Sequence, residues 1–141
     1  MTRIETGEMM VQKFRYDELN PVFEGDPVEF LLSGSPGASN EDLDLPFIEM
    51  EWTPGDGRSI GTSLQTFQYQ GSVSFLVFMP KGLPPHKAKS VVGQLEQSLT
   101  HAYKDYPEGT VTFGKARIRP IRPVGTSEMT EVTVETNLLL R

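Results

Sequence analysis

The sequence has no cysteine. Disulfide scaffolds, thiolate zinc sites and thiol nucleophiles are therefore excluded, and the cell interior is the simplest compartment for such a chain. Histidine is almost as scarce. His86 and His101 are the only two, and they fall at opposite ends of one predicted helix, too far apart to share a proton or a metal within one subunit. No apolar run approaches the ~18 residues that a membrane helix needs. The opening Met1-Thr2-Arg3-Ile4-Glu5-Thr6-Gly7-Glu8 lacks the apolar stretch of a secretory leader. Basic residues are in deficit, 13 Lys and Arg against 19 Asp and Glu, which runs against the positive footprint of a general nucleic-acid binder. No internal repeat or low-complexity tract is present, so solenoid architectures are out.

What remains is a chain of 141 residues, enough for one domain spanning 1–141, with 13 Gly and 11 Pro that imply much turn and loop. Its charge is unevenly spread. Residues 1–60 hold 13 acidic and 4 basic side chains, and residues 61–141 hold 6 and 9. A solvated surface of uneven composition explains this, and so does a molecule with oppositely charged faces suited to docking on unlike partners or on its own copies.

Periodicity predicts the elements. A short helix is expected over Gly7–Phe14, with Met10 and Phe14 on one face and Pro21 as its latest end. Val28-Glu29-Phe30-Leu31-Leu32 reads as a strand, followed by a mobile loop over 33–46. In Phe47–Trp52, Ile48, Met50 and Trp52 point one way and Glu49 and Glu51 the other. A second mobile loop, 53–65, is expected from its glycines. Thr66–Met79 reads as a long central strand, its second face made apolar by Leu76 and Phe78, with Gly71 marking a bulge or a close backbone approach. Pro85 to Tyr103 carries the 3.6-residue stripe Ala88, Val91, Val92, Leu95, Leu99, Ala102 and Tyr103. A hairpin closes the chain, from Val111 to Ile121 and back over Val132 to Leu140. The fold class is α+β, a mostly antiparallel sheet with one main amphipathic helix packed across it and long mobile loops.

No spacing signals catalysis. Gly55-Asp56-Gly57-Arg58-Ser59-Ile60-Gly61 lacks the spacing and the following helix of a nucleotide loop. Glu41, Asp42 and Asp44 lack the ordered ligands of a calcium loop and precede Pro46 directly. Glu49 and Glu51 have a spacing that acid/base pairs use, and alternation in an exposed strand also explains them. No metal or cofactor is implied. Lys115, Arg117 and Arg119 share a strand face beside Arg122 and form the strongest charge cluster. A phosphate-binding strip is one reading, with only Phe113 nearby to stack a base. One side of a contact with an acidic partner is the other, and the acidic half of a second copy supplies such a partner.

The run Trp52-Thr53-Pro54, a glycine-rich loop and then Gln68-Tyr69-Gln70-Gly71-Ser72-Val73-Ser74-Phe75-Leu76-Val77-Phe78-Met79-Pro80-Lys81-Gly82 resembles the tail terminator proteins of long-tailed bacteriophages. In that family a glycine precedes an alternating strand that closes on a Pro-x-Gly turn and feeds an amphipathic helix. The resemblance covers roughly residues 47–141. Two features depart from it: the family opens with a long helix, where this chain is weakly periodic before Pro21, and Pro84 stands where a second glycine is usual. The resemblance implies a non-enzymatic virion protein, made in the host cytoplasm. It would form a ring of about six copies at the head-proximal end of the tail tube, ending tube polymerisation and joining tail to head. Its implied partners are its own copies, the tail tube protein and a head-tail connector or stopper, with DNA passing through an acidic lumen without specific binding. Glu49, Glu51, Arg58, Lys115, Arg117 and Arg119 are the candidate interface residues. Another neck protein, a connector or stopper, is the nearest alternative. A small nucleic-acid-binding α+β module using the Lys115–Arg122 stripe, and a small enzyme or ligand-binding domain, are the rivals from other classes.

Overall fold

Alternating apolar and polar residues build the body of the protein, a six-stranded sheet. The structure, a computed structural model, describes residues 2–23, 29–32, 47–60, 66–80, 85–124 and 127–141. Strands β1 (Glu29–Leu32), β2 (Phe47–Ile60), β3 (Thr66–Pro80), β4 (Tyr103–Tyr106), β5 (Gly109–Val124) and β6 (Ser127–Leu140) lie in the order β1-β2-β3-β6-β5-β4. Every neighbouring pair is antiparallel except β1 with β2. The period of two puts Ile48, Met50, Val73, Phe75, Val132 and Val134 on one face, where all are buried. Helices α1 (Arg3–Phe14) and α2 (Pro85–Leu99) cover that face, α1 touching β2, β5 and β6, and α2 touching β3, β5 and β6. The fold is the expected α+β arrangement, with the predicted short N-terminal helix joining the main helix on the sheet.

The longer reach of the N-terminal helix follows from local chemistry. Thr2 caps α1, its hydroxyl accepting from the Glu5 amide at 3.2 Å and donating to the Glu5 carboxylate at 3.0 Å. The cap starts the helix four residues ahead of the expected Gly7. Met10, Val11 and Phe14 then bury against the sheet, the Phe14 ring packing tilted at 54° on Phe113 with ring centroids 4.6 Å apart. Beyond Phe14 the helix continues as a π turn (Arg15–Leu19) and a 3-10 turn (Asn20–Phe23) that seat Leu19 and Phe23 in the core. Pro21 enters the tighter turn, where helical hydrogen bonding has already shifted.

Gly7 lets α1 approach the sheet. A Cβ there would lie 2.5 Å from Trp52 Cη2 and 3.1 Å from Leu138 Cδ1. Gly7→Val is expected to destabilise the protein by about 1–3 kcal/mol through overpacking, read as a lower urea midpoint.

Two further expectations are corrected. Thr53–Ile60 is not a loop: β2 continues to Ile60, paired with β3 down to Thr66, and only 61–65 of the expected loop lie outside the described residues. The glycines there serve a bulge. Between Thr53↔Ser72 and Asp56↔Gln70, Pro54 and Gly55 oppose the single residue Gly71, with Gly55 at φ 67°. The helix from Pro85 stops at Leu99 because His101 adopts φ 56° and donates its amide to Gly114 O at 2.9 Å, so Tyr103 belongs to β4 and is exposed. As expected, β3 is central; among the described residues no helix crosses its second face, where Leu76 and Phe78 are half-buried. The expected loop over 33–46 lies outside the described residues.

Candidate interaction surface

The sheet face opposite the helices is crossed by no other described element, and its side chains are mostly polar. Register places them in rows across four strands. Glu49 (β2), Leu76 (β3), Glu131 (β6) and Arg119 (β5) form one row; Glu51, Ser74, Thr133 and Arg117 form the next. In the third row, Thr53 and Ser72 lead to Glu135, which faces both Gly114 and Lys115 in a second bulge. Glu49 and Glu51 thus lie towards one edge of the face and Lys115, Arg117 and Arg119 towards the other, with Glu131 and Glu135 on β6 beside the bases.

Part of the basic stripe is matched inside the chain. Arg119 Nε lies 3.7 Å from Glu131 Oε1, and Glu131 also accepts from the Thr133 hydroxyl at 2.6 Å. Arg58 is not on a loop: it pairs with Gln68 across β2 and β3, donating from Nε to Gln68 Oε1 at 3.3 Å, and Gln68 passes the contact on to Asn137 Oδ1 at 2.7 Å. Glu49, Glu51, Lys115 and Arg117 make no ion pair among the described residues. Three strand spacings of ~4.8 Å separate β2 from β5, so these two charge sets stand roughly 14 Å apart and do not meet within one copy.

The two bulges leave a hollow of about 570 Å³ in the middle of this face, lined by Gln70, Gly71, Thr112, Gly114, Glu135 and Asn137. Glu135 is the one ionisable side chain among these lining residues, beside glycines and neutral polar groups. A second hollow, about 670 Å³, lies between the end of α1 and β4, and is lined in part by Phe14, Glu18, His101, Tyr103 and Lys104. Lys104 Nζ holds Glu18 at 2.7 Å, and Lys13 Nζ holds Glu108 at 3.0 Å. These pairs tie the helix end to the β4–β5 hairpin. The Lys13 hydrogen bond holds the Glu108 carboxyl below its usual range. His86 and His101 are exposed, and no cluster of three or more metal-ligating side chains occurs among the described residues.

Tyr106 is buried at this junction. Its burial, reinforced by the nearby negative charges of Asp17 and Glu18, pushes the phenol up to about 12. A raised phenol binds its proton more tightly in the folded state. Its contribution is present in full below the ordinary phenol value of 10.0 and is lost as pH climbs towards about 12. Urea unfolding above pH 10 should show this decline, and Tyr106→Phe should flatten it.

No family model and no curated protein sequence matches the chain. Among solved structures 24 chains match. One of them, whose name describes no function, superposes with a TM-score of 0.62 at 11% identity, covering 94% of each chain. At that identity the likeness concerns the fold alone. Among the described residues no helix is long and apolar enough to cross a membrane.

Proposed function

We propose that the chain is a tail-terminator-like virion protein: a ring at the head-proximal end of a phage tail tube that ends tube polymerisation and presents the surface joining tail to head. The observation that carries this reading is the polar sheet face that no other described element crosses, with Glu49 and Glu51 towards one edge and Lys115 and Arg117 towards the other, none of them ion-paired among the described residues. A ring of identical subunits needs two different, mutually complementary edges on each copy, because its contacts are heterologous. The helical run Arg3–Phe23 adds support, since it supplies the long opening helix that the resemblance implies and that periodicity alone does not predict. In this reading the chain performs no catalytic step. It acts by occupying the tube end and offering the next neck protein a different surface, while a lumen of net negative charge repels the DNA that passes through it.

Native mass spectrometry with electron microscopy of the purified protein tests the reading. Closed rings of about six copies support it. A salt-sensitive shift of DNA by the monomer, with no ring, instead supports a nucleic-acid-binding module that uses Lys115 and Arg117.

A further inference from the structure

The edges of the sheet are stepped, and the steps fit one another. Among the described residues, strand β1 flanks β2 along Phe47–Met50, while β4 flanks β5 along Gly109–Thr112, with residues 100–102 continuing along it to Ala116. These two short strands lie at opposite ends of the sheet, since Met50 shares a row with Phe75, Val132 and Ile118, whereas Thr112 shares one with Asn137, Gln70 and Asp56. One edge therefore projects where the other recedes. Between the steps, residues 100–102 hydrogen-bond β5 at Phe113, Gly114 and Ala116, and the row shared by Glu51 and Arg117 is reached neither by them nor by β1 among the described residues. Both side chains are exposed and neither has an ionic partner among the described residues.

We propose that copies of this chain join edge to edge as a lap joint, with Arg117 of one copy ion-paired to Glu51 of the next. The occupant of each edge is the opposite edge of a second copy. Placing β1 of the next copy beside β5 from Ile118 onward, and β4 with residues 100–102 beside β2 of that copy, leaves β5 and that β2 about two strand spacings apart at the Arg117 row, roughly 10 Å. A long guanidinium side chain and a carboxylate span that gap, and their shared row puts them opposite without any shift along the strands. Glu49 and Lys115 flank the pair with the same two charges. Arg119 contributes less, because Glu131 of its own copy already engages it. Bulges at Gly114-Lys115 and between Arg119 and Arg122 interrupt β5, and Pro54 interrupts β2, so side-chain charge rather than a continuous backbone ladder sets the register.

This inference rests on the ring reading, and a charge-exchange experiment separates the two. Arg117→Glu and Glu51→Arg are made singly and together, their folding is checked by circular dichroism, and oligomers are weighed by native mass spectrometry at low salt. Each single variant places like charges together, and subunit association should weaken on the order of 100-fold. The double variant should recover assembly. So should an equimolar mixture of the two single variants, which can only alternate around the ring and must close with an even number of subunits. Single variants that assemble as the unmodified chain does would overturn the contact while leaving the ring intact. Charge rescue confined to open chains or dimers would uphold the contact and overturn the ring. A chain that stays monomeric at low salt and high concentration overturns the contact, and the tail-length measurement described below then decides the terminator reading separately.

Discussion

Leu95→Ala should cost the protein about 3–5 kcal/mol, a large part of the stability of a domain this size. Leu95 is fully buried on α2, one turn from the equally buried Val91 and Leu99, where the helix touches β3, β5 and β6. The truncation removes the transfer free energy of the lost carbons. It also leaves a cavity that the sheet beneath, held by long ladders on both sides, cannot collapse to fill. Leu99→Ala should behave alike. By contrast, Gln97→Ala, exposed on the same helix, should change stability by less than about 0.5 kcal/mol. Equilibrium urea unfolding of the three variants checks the contrast. Equal effects at Leu95 and Gln97 would mean that α2 does not pack as described.

The second large effect is expected at Gly71. A Cβ at this position would collide with Thr53 O, with Pro54 O and C at 2.5 Å as further obstacles. These are backbone atoms in the bulge that sets the register between the two ends of the β2–β3 hairpin, so they cannot rotate away as a side chain would. Gly71→Val should lose about 3 kcal/mol or more and disturb the hairpin from Thr53 to Gln70. Amide exchange along β2 and β3 reads the local effect, and urea unfolding reads the global one. Gly93→Ala is the control. Nothing lies within 4 Å of a Cβ there, and replacing a helical glycine should stabilise by a few tenths to about 1 kcal/mol.

The strands and the main helix were legible where one periodicity dominates. Val73, Phe75, Val77 and Met79 alternate without interruption, as do Val132 and Val134, and each series is buried as read. Composition misled where turn-forming residues serve a strand. Thr53-Pro54-Gly55-Asp56-Gly57 has the makeup of a loop, yet cross-strand pairing outweighs propensity and its irregularity is absorbed in one bulge. Tyr103 continues the helical stripe in phase, so periodicity alone cannot reveal that His101 turns the chain into β4. The signal for α1 was present and weak: Thr2 and Glu5 stand three apart, the spacing of a reciprocal cap. The π turn after Phe14 has no comparable signature.

The candidate surface divides the same way. Alternation placed Glu49 with Glu51, and Lys115 with Arg117 and Arg119, on strand faces, but only the register shows that all five lie on one face with the two charges towards opposite edges. Partnering was equally hidden. Arg119 finds Glu131, and Arg58 finds Gln68, across strands distant or ambiguous in the sequence, which leaves Glu49, Glu51, Lys115 and Arg117 without an ion pair among the described residues.

The terminator role is tested most directly by the lengths of tails made when this protein is removed from the phage or prophage that encodes it. Electron microscopy of lysates from a deletion mutant should show overlong tails without heads, and normal length and joining should return when the protein is supplied from a plasmid. Tails of normal length joined to heads in the absence of the protein would contradict the account.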